Sequence, residues 1–159
     1  VYEVEMKVAL GTDHAGYEYK ERIKRYLTER GHEVEDFGTH SAEVCDYPDF
    51  IYPAARAVGT GQCDRAIVLG GSGNGETIVA NKVPGVRCAV CWTEELARLS
   101  RAHNDANVMS VGARTVSFEL ALKMIDVWLE TSFDGGRHAE RIEKISAIDS
   151  KRVESTADR

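Results

Sequence analysis

The stretch Leu69–Lys82, LGGSGNGETIVANK, sits between a buried apolar run, Arg65–Gly71 (RAIVLGG), and a short helical pattern closed by Pro84 and Gly85. It reads as the strand–loop–helix turn of an α/β domain. Its four glycines, at 70, 71, 73 and 75, are of the kind that packs backbone against an anion, yet they run directly into a carboxylic acid, Glu76. A dinucleotide fingerprint starting at Gly71 would need glycine at 71, 73 and 76. Glu76 stands in the third place, where its charge would meet a pyrophosphate at the helix N-terminus. No Lys-Ser or Lys-Thr follows the glycines, so the loop is not a Walker sequence either.

The same alternation extends in both directions. Upstream lie strand MKVALG, helix AGYEYKERIKRYLTERG with Gly31 as its stop, strand HEVEDFG and an irregular helix YPDFIYPAARAVGTG. Downstream lie strand VRCAVCW, helix TEELARLSRAHN, strand ANVMSVG, helix SFELALKMIDVWLE and a last amphipathic helix RHAERIEKISAI. Strands alternating with helices predict a three-layer α/β/α, Rossmann-like domain with a parallel sheet of about five strands. We read residues 6–149 as one domain, 1–5 as an N-terminal extension and 150–159 as a loose polar tail.

Composition narrows the function. The chain has 159 residues, 43% of them hydrophobic, enough for one core that buries roughly two-thirds of the unfolded chain's surface. Twenty Lys and Arg against 26 Asp and Glu leave a net charge of -6, which disfavours a general nucleic-acid or membrane surface. No apolar run approaches the ~20 residues of a membrane span, and the opening VYEVEMKVAL lacks a secretory layout, so a cytoplasmic location is expected. Cys88 and Cys91 form a C-x-x-C, a metal or redox pair or two ordinary core thiols; residues three apart in a strand point to opposite faces, which favours the core thiols.

In such a sheet, ligands bind beyond the carboxyl ends of the strands. The loops there carry GTDHAG, DYPDF, GGSGNGE, RAHNDAN and GAR. Two readings of Glu76 stand. It is a first-turn acid that stabilises its helix, or it is a base beside an oxyanion site made of backbone N–H groups, as needed to remove a proton next to a carbonyl. Asp13 fits an N-cap, which leaves His14 unexplained. His103, at a helix end, complements the dipole or moves a proton. Arg137 and Arg141, four apart, are a solvated pair or a fork for a terminal phosphate. Tyr47 packs or donates a hydroxyl to a sugar.

Taken together, GTDHAGYEYK, DYPDF, GGSGNGETIVANKVPGVRCAVCW, SRAHNDANVMSVGAR and GGRHAERI resemble the type B ribose-5-phosphate isomerases and the related galactose- and allose-6-phosphate isomerases. The resemblance runs from about Met6 to Ile148. It implies cofactor-independent aldose–ketose isomerisation of a phosphorylated sugar through a cis-enediolate, without metal, with Glu76 as base. Some members use a cysteine where this chain has Gly70, so the chain resembles the glutamate branch. By the same resemblance Gly71, Ser72, Gly73, Asn74 and Gly75 form the anion hole, His103 opens the sugar ring and Asp13 binds sugar hydroxyls. His14, Arg137 and Arg141 hold the phosphate, Arg114 faces the site, and Asn104 and Tyr47 complete the contacts. The resemblance also implies a homodimer or dimer of dimers with sites at the subunit interface. Ribose 5-phosphate is the substrate most often implied; an allose, galactose or tetrose phosphate stays open, as does a non-catalytic sugar-phosphate-binding module, although binding alone would not demand both Glu76 and His103.

Overall fold

The computed structural model describes residues 5–158, so the expected N-terminal extension lies, apart from Glu5, outside the described residues, as does Arg159. The chain forms β1 (Lys7–Thr12), a 3-10 turn (His14–Gly16), α1 (Tyr17–Glu29), β2 (Glu33–Asp36), α2 (Pro48–Gly59) and β3 (Arg65–Gly70). It continues through α3 (Asn74–Ala80), β4 (Cys88–Val90), α4 (Glu94–Ala102), β5 (Val108–Gly112), α5 (Phe118–Glu130) and α6 (Arg137–Ala157). The five strands pair in the order β2-β1-β3-β5-β4, all parallel.

Period-two side chains sort the sheet into two apolar faces. Val8, Leu10, Ile67, Leu69, Met109 and Val111 meet α1, α4 and α5 through Ile23, Leu27, Ala97, Met124, Ile125 and Trp128. Ala9, Ala66, Val68 and Val108 meet α2 and α3 through Ile51, Ala54, Ala55, Val58 and Ala80. The sheet is thus covered on both sides, as a parallel sheet requires. Cys91 joins the first layer and Cys88 packs against the second, so the two thiols are separated by the sheet. Burial pushes them up to about 11 and about 12 respectively, which keeps them as protonated core thiols.

Strand order reverses between β1 and β3, the topological switch point where a crevice opens. The loop after β1 is pinned there from below. Lys20, fully buried on α1, reaches the Asp36 carboxylate at 2.6 Å, and Asp36 Oδ1 accepts the Gly38 N–H at 2.8 Å. Gly38 and Thr39 exchange backbone hydrogen bonds with Thr12, the residue before Asp13.

Helix α6 departs from the expectation of a loose tail. It continues past Ile148 to Ala157 and buries none of its residues in this chain. The segment holds no Gly or Pro and is rich in Lys, Arg, Glu and Ala, so local propensity carries the helix where no apolar packing does.

Candidate active site

Glu76 is built into place by the loop before it. Gly73 takes φ 86, a left-handed conformation that favours glycine, and its carbonyl accepts from the Ser110 hydroxyl at 2.8 Å and the Thr77 hydroxyl at 2.7 Å. The chain then enters α3 with Glu76 in the first turn, 4% exposed. Its carboxylate lies directly against the Cα of Gly70, so a Cβ at residue 70 would collide with Oε1. The missing side chain at the end of β3 is the space the acid occupies.

Burial raises the Glu76 carboxyl above its ordinary value; N–H groups of the Glu76 and Gly73 backbone oppose this, and the nearby Asp13 charge adds to it. The first-turn position is real, yet a carboxylate serving only the dipole would face solvent. Turned inward and partly desolvated, this one is suited to taking a proton from carbon near neutral pH.

An open cavity of about 540 Å³ lies over the acid, lined by Asp13, Tyr47, Gly71, Ser72, Gly75, Glu76, Arg114 and Thr115. Asp13, 7% exposed, is indeed the cap of the 3-10 turn: its Oδ1 accepts the Ala15 N–H at 2.9 Å. The cap and the cavity wall are the same side chain. Tyr47 lays its ring against Gly75, where a Cβ would come within 2.6 Å of the ring. The Arg114 N–H donates to the Gly71 carbonyl at 3.0 Å, tying the loop after β5 to the glycine loop. Thr115, which spacing did not single out, completes the wall.

A second group forms apart from this cavity. His103 caps α4, its N–H donating to the Leu99 carbonyl at 2.9 Å. Its ring stacks on His138, centroids 4.2 Å apart and planes within 12°. Asp134 Oδ2 lies 4.0 Å from His103 Nε2. Arg137 and Arg141, exposed on the first turns of α6, act electrostatically on His138. Burial, then His103 and the two guanidiniums, hold its imidazole below the usual histidine range.

None of His103, Asn104, Arg137 or Arg141 lines the cavity over Glu76. Asn104 borders a different groove, of about 380 Å³, with Arg87, Ile145, Ile148 and Arg152. His14 sits beside Asp13, half-buried, and its Nδ1 accepts the Cys45 N–H at 3.3 Å. A single chain therefore carries two separate groups, one with a buried acid and backbone donors, the other with imidazoles and guanidiniums.

The sequence profile of the Ribose/Galactose Isomerase family matches residues 8–145. This chain belongs to that family. Ribose-5-phosphate isomerase B of Escherichia coli (strain K12) is 46% identical over 146 residues, 92% of this chain and 98% of that one. The Mycobacterium leprae (strain TN) ribose-5-phosphate isomerase B is 43% identical over 146 residues, 91% of this chain and 90% of the relative. Among solved structures, Clostridium thermocellum ribose-5-phosphate isomerase B superposes with a TM-score of 0.90 at 52% identity, over 92% of this chain and 99% of that one. The Mycoplasma genitalium enzyme, solved with bound ribulose-5-phosphate, superposes with a TM-score of 0.88 at 34% identity, over 91% and 96% of the two chains. As a member of the family, the protein is an aldose–ketose isomerase with the expected α/β/α fold.

The two groups differ in how readily spacing reveals them. Asp13, the glycine loop, Glu76 and Arg114 follow strand ends, where a crevice is expected. Asp134 and His138 reach His103 only because the loop between α5 and α6 turns back through Gly135 and Gly136, at φ 68 and 57. The signal available beforehand was that GG pair, a mark of a tight reversal just ahead of the candidate arginines.

Proposed function

We propose that the protein interconverts ribose 5-phosphate and ribulose 5-phosphate by proton transfer through a cis-enediolate, with Glu76 as the base. The observation that carries this reading is the buried Glu76 carboxylate, seated against Gly70 under a cavity lined by the glycine loop, Asp13, Tyr47 and Arg114. The carboxylate takes the proton from C2 of the open-chain aldose, leaving negative charge on O1. N–H groups of the Gly71–Gly75 loop offset that charge. A proton moves from the C2 hydroxyl to O1, and Glu76 returns its proton to C1, so the base ends each turnover as it began.

The remaining roles are those that membership of the family implies. His103 opens the furanose ring by proton transfer, and Asp13, Tyr47 and Asn104 bind hydroxyls. His14, Arg137 and Arg141 hold the phosphate, with Arg114 at the rim. These residues fall into two groups within one chain, and we take the working site to be completed between two copies. Support comes from large apolar side chains left exposed: Ile78, 63% exposed, two positions beyond Glu76; Trp92, 55%, just past β4; and Ile148, 58%, on the uncovered α6. Exposed apolar side chains of this size are what a two-fold dimer would bury.

A coupled assay on ribose 5-phosphate, allose 6-phosphate, galactose 6-phosphate and a tetrose phosphate tests the substrate. Highest kcat/KM on ribose 5-phosphate is expected. A six-carbon preference would reassign the substrate, and no turnover on any of them would overturn the reading.

A further inference from the structure

We propose that His103, Asp134 and His138 form a binding site for a divalent transition-metal ion of the zinc type. One ligand atom from each of the three residues lies within 4.8 Å of the other two. Ligand atoms around tetrahedral zinc, at bonds of about 2.0–2.2 Å, stand roughly 3.4 Å apart. The His103–Asp134 pair, at 4.0 Å, is already close to that spacing. The two imidazole planes are nearly parallel, so the rings must tilt out of their stack for a nitrogen of each to point at one ion.

The backbone holds this cluster independently of any ion. The Asp134 N–H donates to the Ala102 carbonyl at 2.9 Å, which docks its loop on the end of α4 beside His103. The His138 N–H donates to the Gly135 carbonyl at 3.1 Å, fixing the first turn of α6 over the same point. Two imidazoles and one carboxylate select zinc, copper or nickel over magnesium or calcium, which prefer oxygen ligands. Three protein ligands leave a fourth position for water. Arg137 and Arg141, exposed on the first turns of α6, place positive charge near His138 and work against a cation here. Other thiol ligands are poor competitors: Cys63, Cys88 and Cys91 are pushed up to about 12, 12 and 11 by burial.

An ion bound here takes a nitrogen of His103 and withdraws it from substrate, so occupancy inhibits isomerisation. The inhibition rests on the proton-transfer role given to His103; the binding does not.

Calorimetric titration of the intact protein with zinc chloride, in phosphate-free buffer, tests the binding without reference to turnover. Wild type and Cys45→Ser should each bind one ion per chain, and Asp134→Asn and His138→Ala, checked for folding by circular dichroism, should lose at least about tenfold in affinity. Equal binding by all four proteins, or loss in Cys45→Ser alone, would overturn the site. In the assay, zinc should inhibit wild type reversibly on addition of EDTA, and the inhibiting concentration should rise at least about tenfold in Asp134→Asn, each protein being compared with its own zinc-free rate. Undiminished inhibition of Asp134→Asn would overturn the link to His103.

Discussion

A methyl group added at residue 70 would occupy the space that the Glu76 carboxylate now fills. Gly70 has no left-handed φ, so Gly70→Ala tests that contact and not the backbone. Two outcomes compete on folding. Either the acid stays and the packing is strained, at about 1–3 kcal/mol for an overpacked site, or the side chain swings toward the cavity and moves its oxygens by about an ångström. The second is the cheaper course, because the cavity above is open. Misplacement of a reacting group by about 1 Å costs on the order of 10²-fold in rate, so kcat should fall by about that factor while KM changes little. The assay is the coupled isomerase reaction on ribose 5-phosphate, run on Gly70→Ala, Glu76→Gln and the double variant. Once the base is gone its position cannot matter, so adding Gly70→Ala to Glu76→Gln should lower kcat little further. Near-normal kcat in Gly70→Ala, or losses that simply multiply in the double variant, would refute the placement of the base by Gly70.

Three further outcomes follow from the same geometry. The raised Glu76 carboxyl sets the acid limb of kcat/KM above the ordinary value of 4.5. Since the native state then holds that proton more tightly than the unfolded one, stability declines as pH rises through the raised value. Melting curves should therefore show Glu76→Gln gaining on wild type from acid to neutral pH, and a margin that shrinks instead would contradict the burial. Arg137→Ala and Arg141→Ala should mainly raise KM, about tenfold to a hundredfold for a charged hydrogen bond worth about 1.5–3 kcal/mol. Equal proportional losses on an unphosphorylated sugar would remove their phosphate role. Finally, Glu76→Gln and His103→Ala, dissociated together and reassociated at equal concentration, should recover about a quarter of wild-type sites if each site draws on two chains, because about half the dimers are hetero and each has one intact site. No recovery, with heterodimers seen by native mass spectrometry, would put both residues on one chain.

The element order was legible because apolar periodicity changes from two to three or four at each loop, and Gly31, Gly73 and Pro84 mark the changes. Boundaries were less so: the apolar run VRCAVCW yields only Cys88–Val90 as strand, since pairing with β5 stops at Val90. The helical end of α6 is not legible in the sequence because no face of it carries an apolar stripe that the core demands. In the site, Glu76 was visible as an acid ending a glycine loop, but its inward turn depends on Gly70, six residues away and on another element. The dual service of Asp13 was not visible, for a cap and a cavity wall look alike in sequence. That His103 and Glu76 would belong to different groups within the chain is a property of three-dimensional placement that strand-end loops alone do not convey.

The central claim, proton transfer by Glu76 through an enediolate, is tested most directly by nuclear magnetic resonance of ribose 5-phosphate incubated with the protein in heavy water. After many turnovers wild type should replace the C2 hydrogen of ribose 5-phosphate with deuterium, and Glu76→Gln should do so slower by roughly 10²–10⁴. Interconversion that keeps the original hydrogen at C2 through many turnovers, or exchange undiminished in Glu76→Gln, would contradict it.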